Sequence, residues 1–144
     1  MTLGANYKAR LLPLGPDGTP GPGDPIVVQF NPATYSTLWN ITWAEVGQSL
    51  QWAKTSAGDL VLTLNYDSYE ARTDVRSMTE KFKQQLDPGE SKAQQAVGCL
   101  FQWGKMTYKG VVASIKEDFS LFLADGTPVR SVITLTLKPW PQSA

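Results

Sequence analysis

Between Asp59 and Tyr69 the sequence DLVLTLNYDSY alternates without a break: Leu60, Leu62, Leu64 and Tyr66 fall on one side, Val61, Thr63 and Asn65 on the other. That period of two predicts a half-buried strand. A second alternating stretch, LFLADGTPVRSVITLTLK, reads as a hairpin. Its two β-forming runs are separated by Ala124-Asp125-Gly126-Thr127-Pro128. Asp125-Gly126 supplies the positive φ that a tight loop needs, and Pro128 pre-sets φ where the chain re-enters a strand. In the last run Ile133, Leu135 and Leu137 face one way, and Val132, Thr134 and Thr136 the other. A polar face that is still β-branched suits a strand covered on both sides.

The rest of the chain is built around these two signals. ANYKARLLPLG forms a first strand, ended by the Pro/Gly-rich loop GPDGTPGPGDP over residues 15–25, which holds neither a helix nor a central strand. Ile26 to Phe30 reads as a short buried strand closed by NPATY, with Asn31 held extended by the proline that follows it. TDVRSMTEKFKQQL is the one convincing helix. Val75, Met78, Phe82 and Leu86 share a face, Thr73 or Asp74 caps the start, and Asp87-Pro88-Gly89 stops it. ESKAQQAV offers a further short helical turn. Residues 99–138 read as three or four antiparallel strands, with Gly104 and Gly110 marking a turn or bulge. Pro139 and Pro141 lack the ladder donor, so the sheet is expected to end at Lys138. Only STLWNITWAEVGQSLQW, from Ser36 to Trp52, has a period that is neither 2 nor 3.6, and it reads as an irregular or extended arm with strand-like ends. The expected fold is mainly β (α+β): an antiparallel barrel or sandwich with one packed α-helix. With 144 residues, it is expected to be a single domain over 1–144.

Composition narrows the chemistry sharply. Thirteen basic and thirteen acidic residues cancel, so no global field draws in nucleic acid or an anionic membrane. There is no histidine, which removes the commonest general base and every Ser-His or Cys-His nucleophile. The single cysteine, Cys99 in AVGCLFQW, allows no internal disulfide or thiolate zinc site and reads as a small buried hydrophobe. No stretch approaches the ~18 apolar residues of a membrane span. The opening MTLGANYKAR lacks a signal peptide's apolar region, so synthesis and folding in the cytoplasm are expected.

Three groups of residues merit a chemical reading. Asp67, Glu70 and Asp74, with Arg72 and Arg76 between, could hold a metal or act as an acid–base pair, but their spacing equally suits a capped and charge-balanced helix start, which is the reading adopted. FQWGKMTYKG interleaves aromatics with lysines as a base-stacking platform would, yet a sheet face gives the same pattern from core residues plus a snorkelling lysine. GPDGTPGPG has prolines where a phosphate cradle needs N–H donors. The expectation is no enzyme, no cofactor and no metal. Trp39, Trp43 and Trp52 remain open between burial within the monomer and burial against a neighbour, since tryptophan is enriched at interfaces.

In order and spacing, VQFNPATY, LQWAKTSAGDLVLTLNYDSYE, TDVRSMTEKF, FQWGKMTYKGVV and FSLFLADGTPVRSVITLTL resemble the tube and hub-adaptor family of contractile injection systems, the phage-tail-like particles that drive a rigid tube through a target envelope. The resemblance runs from about Tyr7 to Lys138, and its most specific part is the trio FNP..Y, WG...Y.G and LF..DGTPVR. It implies a β-barrel related to the tail-tube fold, whose copies form a sixfold ring joining the inner tube to the central spike. The implied partners are copies of itself, tube proteins and spike or baseplate proteins, with no nucleic acid and no membrane in the resting state, assembled in the cytoplasm. Asn31, Tyr35, Trp39, Trp43 and Trp52 are the residues assigned to the subunit or partner interface. Two departures stand out. Many relatives continue into a LysM-type domain that is not expected here, and many carry a proline pair where this chain has AVGCLFQWG. A neutral subunit suits a stacked ring, whose heterologous contacts close only if the rotation is right. The alternative is a monomeric small barrel binding an apolar ligand among the tryptophans.

Overall fold

The computed structural model describes residues 8–15, 17–21, 25–30, 32, 34–87 and 98–140. Its strands are β1 (Arg10–Leu14), β2 (Ile26–Val27), β3 (Tyr35–Val46), β4 (Ser49–Asp67), β5 (Gly98–Trp103), β6 (Met106–Phe122) and β7 (Pro128–Pro139), with helix α1 (Arg76–Leu86) between β4 and β5. All seven strands join one antiparallel sheet in the order β2-β1-β5-β6-β7-β4-β3. The mainly-β expectation holds. The sheet is curled but its backbone ladder is not closed: β2 and β3 are its two ends. Side chains span part of the gap. The Gln29 amide donates to Asp67 O at 2.8 Å and accepts the Asp67 N–H at 2.7 Å, acting as one rung of a strand. Tyr35, on β3, sets its ring edge-on to Phe101 and Trp103 of β5.

The core follows from the alternation. Leu60, Leu62, Leu64 and Tyr66 lie opposite Leu137, Leu135, Ile133 and Ser131 in the β4–β7 register, and all eight are buried. Leu11 and Phe101 extend this layer, and α1 covers it with Phe82 and Leu86, Val75 joining from the turn before it. Tyr66 meets Phe82 edge-to-face at 5.8 Å between ring centres. The helix starts at Arg76, not at Thr73. Val75 is its N-cap and carries no side-chain cap bond, and Asp74, one residue earlier, supports the start by accepting the Arg76 N–H on Oδ1 at 2.9 Å.

Several expected boundaries move. The second strand is only Ile26–Val27, the C-terminal region holds three strands, and β7 reaches Pro139, after which Trp140 donates its N–H to Lys109 O. Proline ends the donor pattern but not the pairing, because its carbonyl side still fits. Gly104 is a turn residue at φ +60, whereas Gly110 is neither turn nor bulge and sits in register with both Cys99 and Pro139. The register shifts of the β6–β7 pair fall instead between Val112 and Ser114 and between Phe119 and Phe122. The expected turn at residues 90–97 lies outside the described residues.

The Asp125-Gly126 turn is as expected. Gly126 has φ +93, its N–H bonds to Leu123 O at 2.9 Å, and Asp125 Oδ1 accepts the Thr127 N–H at 3.0 Å. Nothing lies within 4 Å of where a Gly126 Cβ would be, so the cost of a side chain there is purely conformational. Gly126→Val should destabilise the protein by about 1 kcal/mol or more. A denaturant midpoint equal to that of the wild type would refute the strain.

Candidate functional site

From Tyr35 to Ala57 every residue of β3 and of the first half of β4 is exposed. The segment expected to be an irregular arm is a regular hairpin closed by Gly47-Gln48, with Gly47 at φ +63 and Val46 paired to Ser49. Glycine as the first of two turn residues is what a tight type II′ hairpin favours. The period of two is present in β3, where Trp39, Ile41 and Trp43 share a face. It is disguised in β4 by extra residues, one where the register shifts between Thr37 and Trp39 and one between Thr42 and Trp43.

The register shows what that face is. Tyr35 and Thr37 pair with Leu62 and Leu60, Trp39 with Ala57, Ile41 with Thr55, Trp43 with Trp52 and Glu45 with Leu50. The stripe of Trp39, Ile41, Trp43, Trp52 and Leu50 is therefore the outward continuation of the face that buries Leu60 and Leu62. Trp39 is 70 % exposed, Trp52 61 % and Trp43 57 %, so none of the three is a core residue of the monomer. Eight of the thirteen large exposed hydrophobics among the described residues lie between Tyr35 and Trp52. Such a concentration marks an interaction surface rather than ordinary scatter. Beyond Trp39 the hairpin reaches about 25 Å at the usual rise per residue.

Its root is fixed. A Cβ on Gly58 would lie 2.8 Å from Leu38 Cβ and 2.8 Å from Leu38 O, so only glycine allows β3 and β4 to cross here. The Tyr108 hydroxyl donates to Gly58 O at 2.8 Å, tying that point to β6, and burial, with the nearby Asp59 charge, raises its pKa.

A second feature lies under the helix. A cleft of about 640 Å³ opens between α1 and β6, floored by Phe82, Leu86, Val112, Ile115 and Ile133 and reached by Glu117. Among the described residues, Glu117 Oε2, Tyr66 Oη and Ser131 Oγ are buried side-chain atoms without a hydrogen-bond partner. Burial pushes the Tyr66 hydroxyl pKa up, and the Glu117 charge adds to the shift.

A family model for contractile injection system tube proteins matches residues 8–144. The chain belongs to that family. A search of curated proteins finds no match. The tube protein is thus a structural component of a contractile injection system, and among its described residues no helix is long and apolar enough to cross a membrane.

The other sequence candidates of this tube protein are taken up by the fold. Asp67 bonds to Arg130 at 3.0 Å and accepts the Tyr69 N–H, Asp74 holds Arg76 at 2.6 Å, and Arg72 stacks over Tyr69. Asp67 and Asp74 thus stabilise a turn and the start of the helix, and among the described residues no three potential ligands gather as a metal site. In FQWGKMTYKG, Phe101 is buried, Tyr108 anchors the hairpin root and Lys109 stacks on Trp140. Tyr35 faces β5 within its own chain, and Asn31 lies outside the described residues. The sequence reading missed Glu117. An acid between Lys116 and Asp118, in a run of three charged residues on a strand, carries no local sign that it turns inward.

Four carboxylates share one habit. Asp17, Asp67, Asp74 and Asp125 each accept a backbone N–H two residues on, and hydrogen bonds hold their pKa values below the ordinary 3.8. A depressed carboxylate contributes stability above its unfolded pKa and loses it as pH falls through the folded one. The urea midpoint should therefore hold from neutral pH to about pH 5 and drop below about pH 4. A midpoint that is level down to about pH 2 would contradict this sign.

Proposed function

We propose that this tube-family chain, acting as one domain, forms a closed sixfold ring stacked between the inner tube and the central spike or baseplate hub. The observation that carries the reading is the Trp39–Trp43–Trp52 stripe, a core face that runs into solvent with nothing among the described residues to cover it. A neighbouring copy would bury it. β3 also ends the sheet as a twelve-residue edge strand, and an unpaired edge of that length is a template for pairing with another chain. Trp39, Trp43 and Trp52 would be the anchors of this contact, and Asn31 and Tyr35 are assigned to the same interface on the family resemblance alone. The ring needs no catalysis, cofactor, nucleic acid or membrane, and the particle would assemble in the cytoplasm. The monomeric ligand-barrel alternative is less well supported, since none of the three tryptophans lines the α1–β6 cleft.

A map of the intact particle tests the proposal. Six copies should appear as one layer on the tube–spike axis. Density for the chain elsewhere in the particle, or a layer of different symmetry, would reject it. The isolated chain can be monomeric without harm to the reading, because a spike template can drive the ring.

A further inference from the structure

We propose that the hairpin stripe of one copy seats in the α1–β6 cleft of the next, with the Trp43 indole N–H donating to Glu117. This rests on the ring reading and names the surface that receives the stripe. Each half lacks what the other carries. The cleft has an apolar floor and a buried carboxylate oxygen with no donor among the described residues. Such an acceptor is costly to leave unmade. Arg76 is near enough for its charge to be felt by Glu117, but its Nε and Nη2 are turned to Asp74 and Glu117 Oε2 receives no hydrogen bond from it. The stripe carries large apolar side chains and indole N–H groups that need an acceptor once buried. The Trp52 N–H is already given to Thr55 Oγ1 at 2.8 Å, which leaves Trp43, directly opposite it, as the donor nearer the tip.

The stripe's one ionic residue is Glu45, two positions beyond Trp43; the cleft lining mixes Arg76 and Lys83 with Glu80, Asp87 and Glu117, so the seating requires Glu45 to meet Lys83. The cleft's volume, about 640 Å³, is in the range of pockets that enclose whole ligands and leaves room for more than one indole. The contact joins two different surfaces, so it is heterologous and propagates from copy to copy until a ring closes.

Glu45→Cys with Lys83→Cys tests the seating while leaving the tryptophans in place. Mild oxidation of assembled particles should give a covalent ladder extending beyond dimer. Cys99 does not compete, being fully buried with its thiol pushed up to about 12. Gln51→Cys with Lys83→Cys, on the opposite face of the hairpin, should give no ladder. Particles that contain the ring but yield no Glu45/Lys83 ladder, or the same ladder from Gln51, overturn the cleft while sparing the ring. A chain found off the tube axis removes both. Glu117→Leu gives an independent reading. It should raise the melting temperature of the free subunit, by removing a buried unpaired acceptor, yet lower particle incorporation roughly tenfold, whereas Glu117→Gln keeps an acceptor and assembles. Wild-type incorporation of Glu117→Leu would overturn the proposed hydrogen bond.

Discussion

Replacing Trp39 and Trp43 together by alanine should leave a folded monomer that no longer enters particles. Both side chains are more than half exposed and neither belongs to the buried cluster, so the monomer loses little packing when they are truncated. Their effect should appear in assembly, where a desolvated tryptophan anchor typically contributes 2 kcal/mol or more, about a thirtyfold change per junction. A ring repeats that loss at every junction, so incorporation should collapse rather than decline. Thermal melting and circular dichroism of the purified subunit check the first half of the statement. Pelleted particles probed for the chain check the second. Normal tube assembly and firing with the double variant would take the hairpin out of the interface.

Gly110→Ala should be among the most destabilising single-methyl additions to the sheet. A Cβ there would sit 2.5 Å from Lys138 O, 2.8 Å from Tyr108 Cε1 and 3.1 Å from Leu137 Cβ. The first of these is backbone in β7, directly beside the Gly110–Pro139 pair, so it cannot move without opening the ladder. Overpacking of this kind costs about 1–3 kcal/mol, which lowers the melting temperature of a domain this size by several degrees. The damage should also spread, because Tyr108 would be displaced from Gly58 O and the hairpin root loosened. Gly104→Ala is the contrast. With nothing within 4 Å of its Cβ it meets only the positive-φ penalty, and its loss should be the smaller one. Equal melting temperatures for the wild type and Gly110→Ala would show that β7 yields more easily than its pairing suggests.

The family motifs were legible in the sequence because they are local. WG...Y.G and LF..DGTPVR each contain a turn glycine at positive φ, Gly104 and Gly126, where backbone conformation restricts residue choice. The hairpin was not legible for an equally physical reason. A period search over Ser36 to Trp52 mixes two strands whose faces are offset across the tight turn, Trp43 pairing with Trp52, and the two extra residues that follow in β4 keep the pattern from running on to Leu60. Gly47-Gln48 between Val46 and Ser49 was the available signal, since glycine opening a two-residue loop points to a hairpin.

By itself the sequence determined what depends on neighbours along the chain: the inward faces of β4 and β7, the apolar side of α1, and the Asp125-Gly126 turn. Steric limits on φ and the strand and helix periods act within a few residues, so they are written locally. Only the tertiary structure decided that β7 lies between β4 and β6, that the sheet stays open, and that Glu117 points beneath the helix. It also decided where the inner face of β4 leaves the core, at Gly58, and runs on into solvent as Trp52 opposite Trp43. Alternation is the same on both sides of that point. A period states which residues share a face, and the packing of distant segments decides whether that face is covered by its own chain.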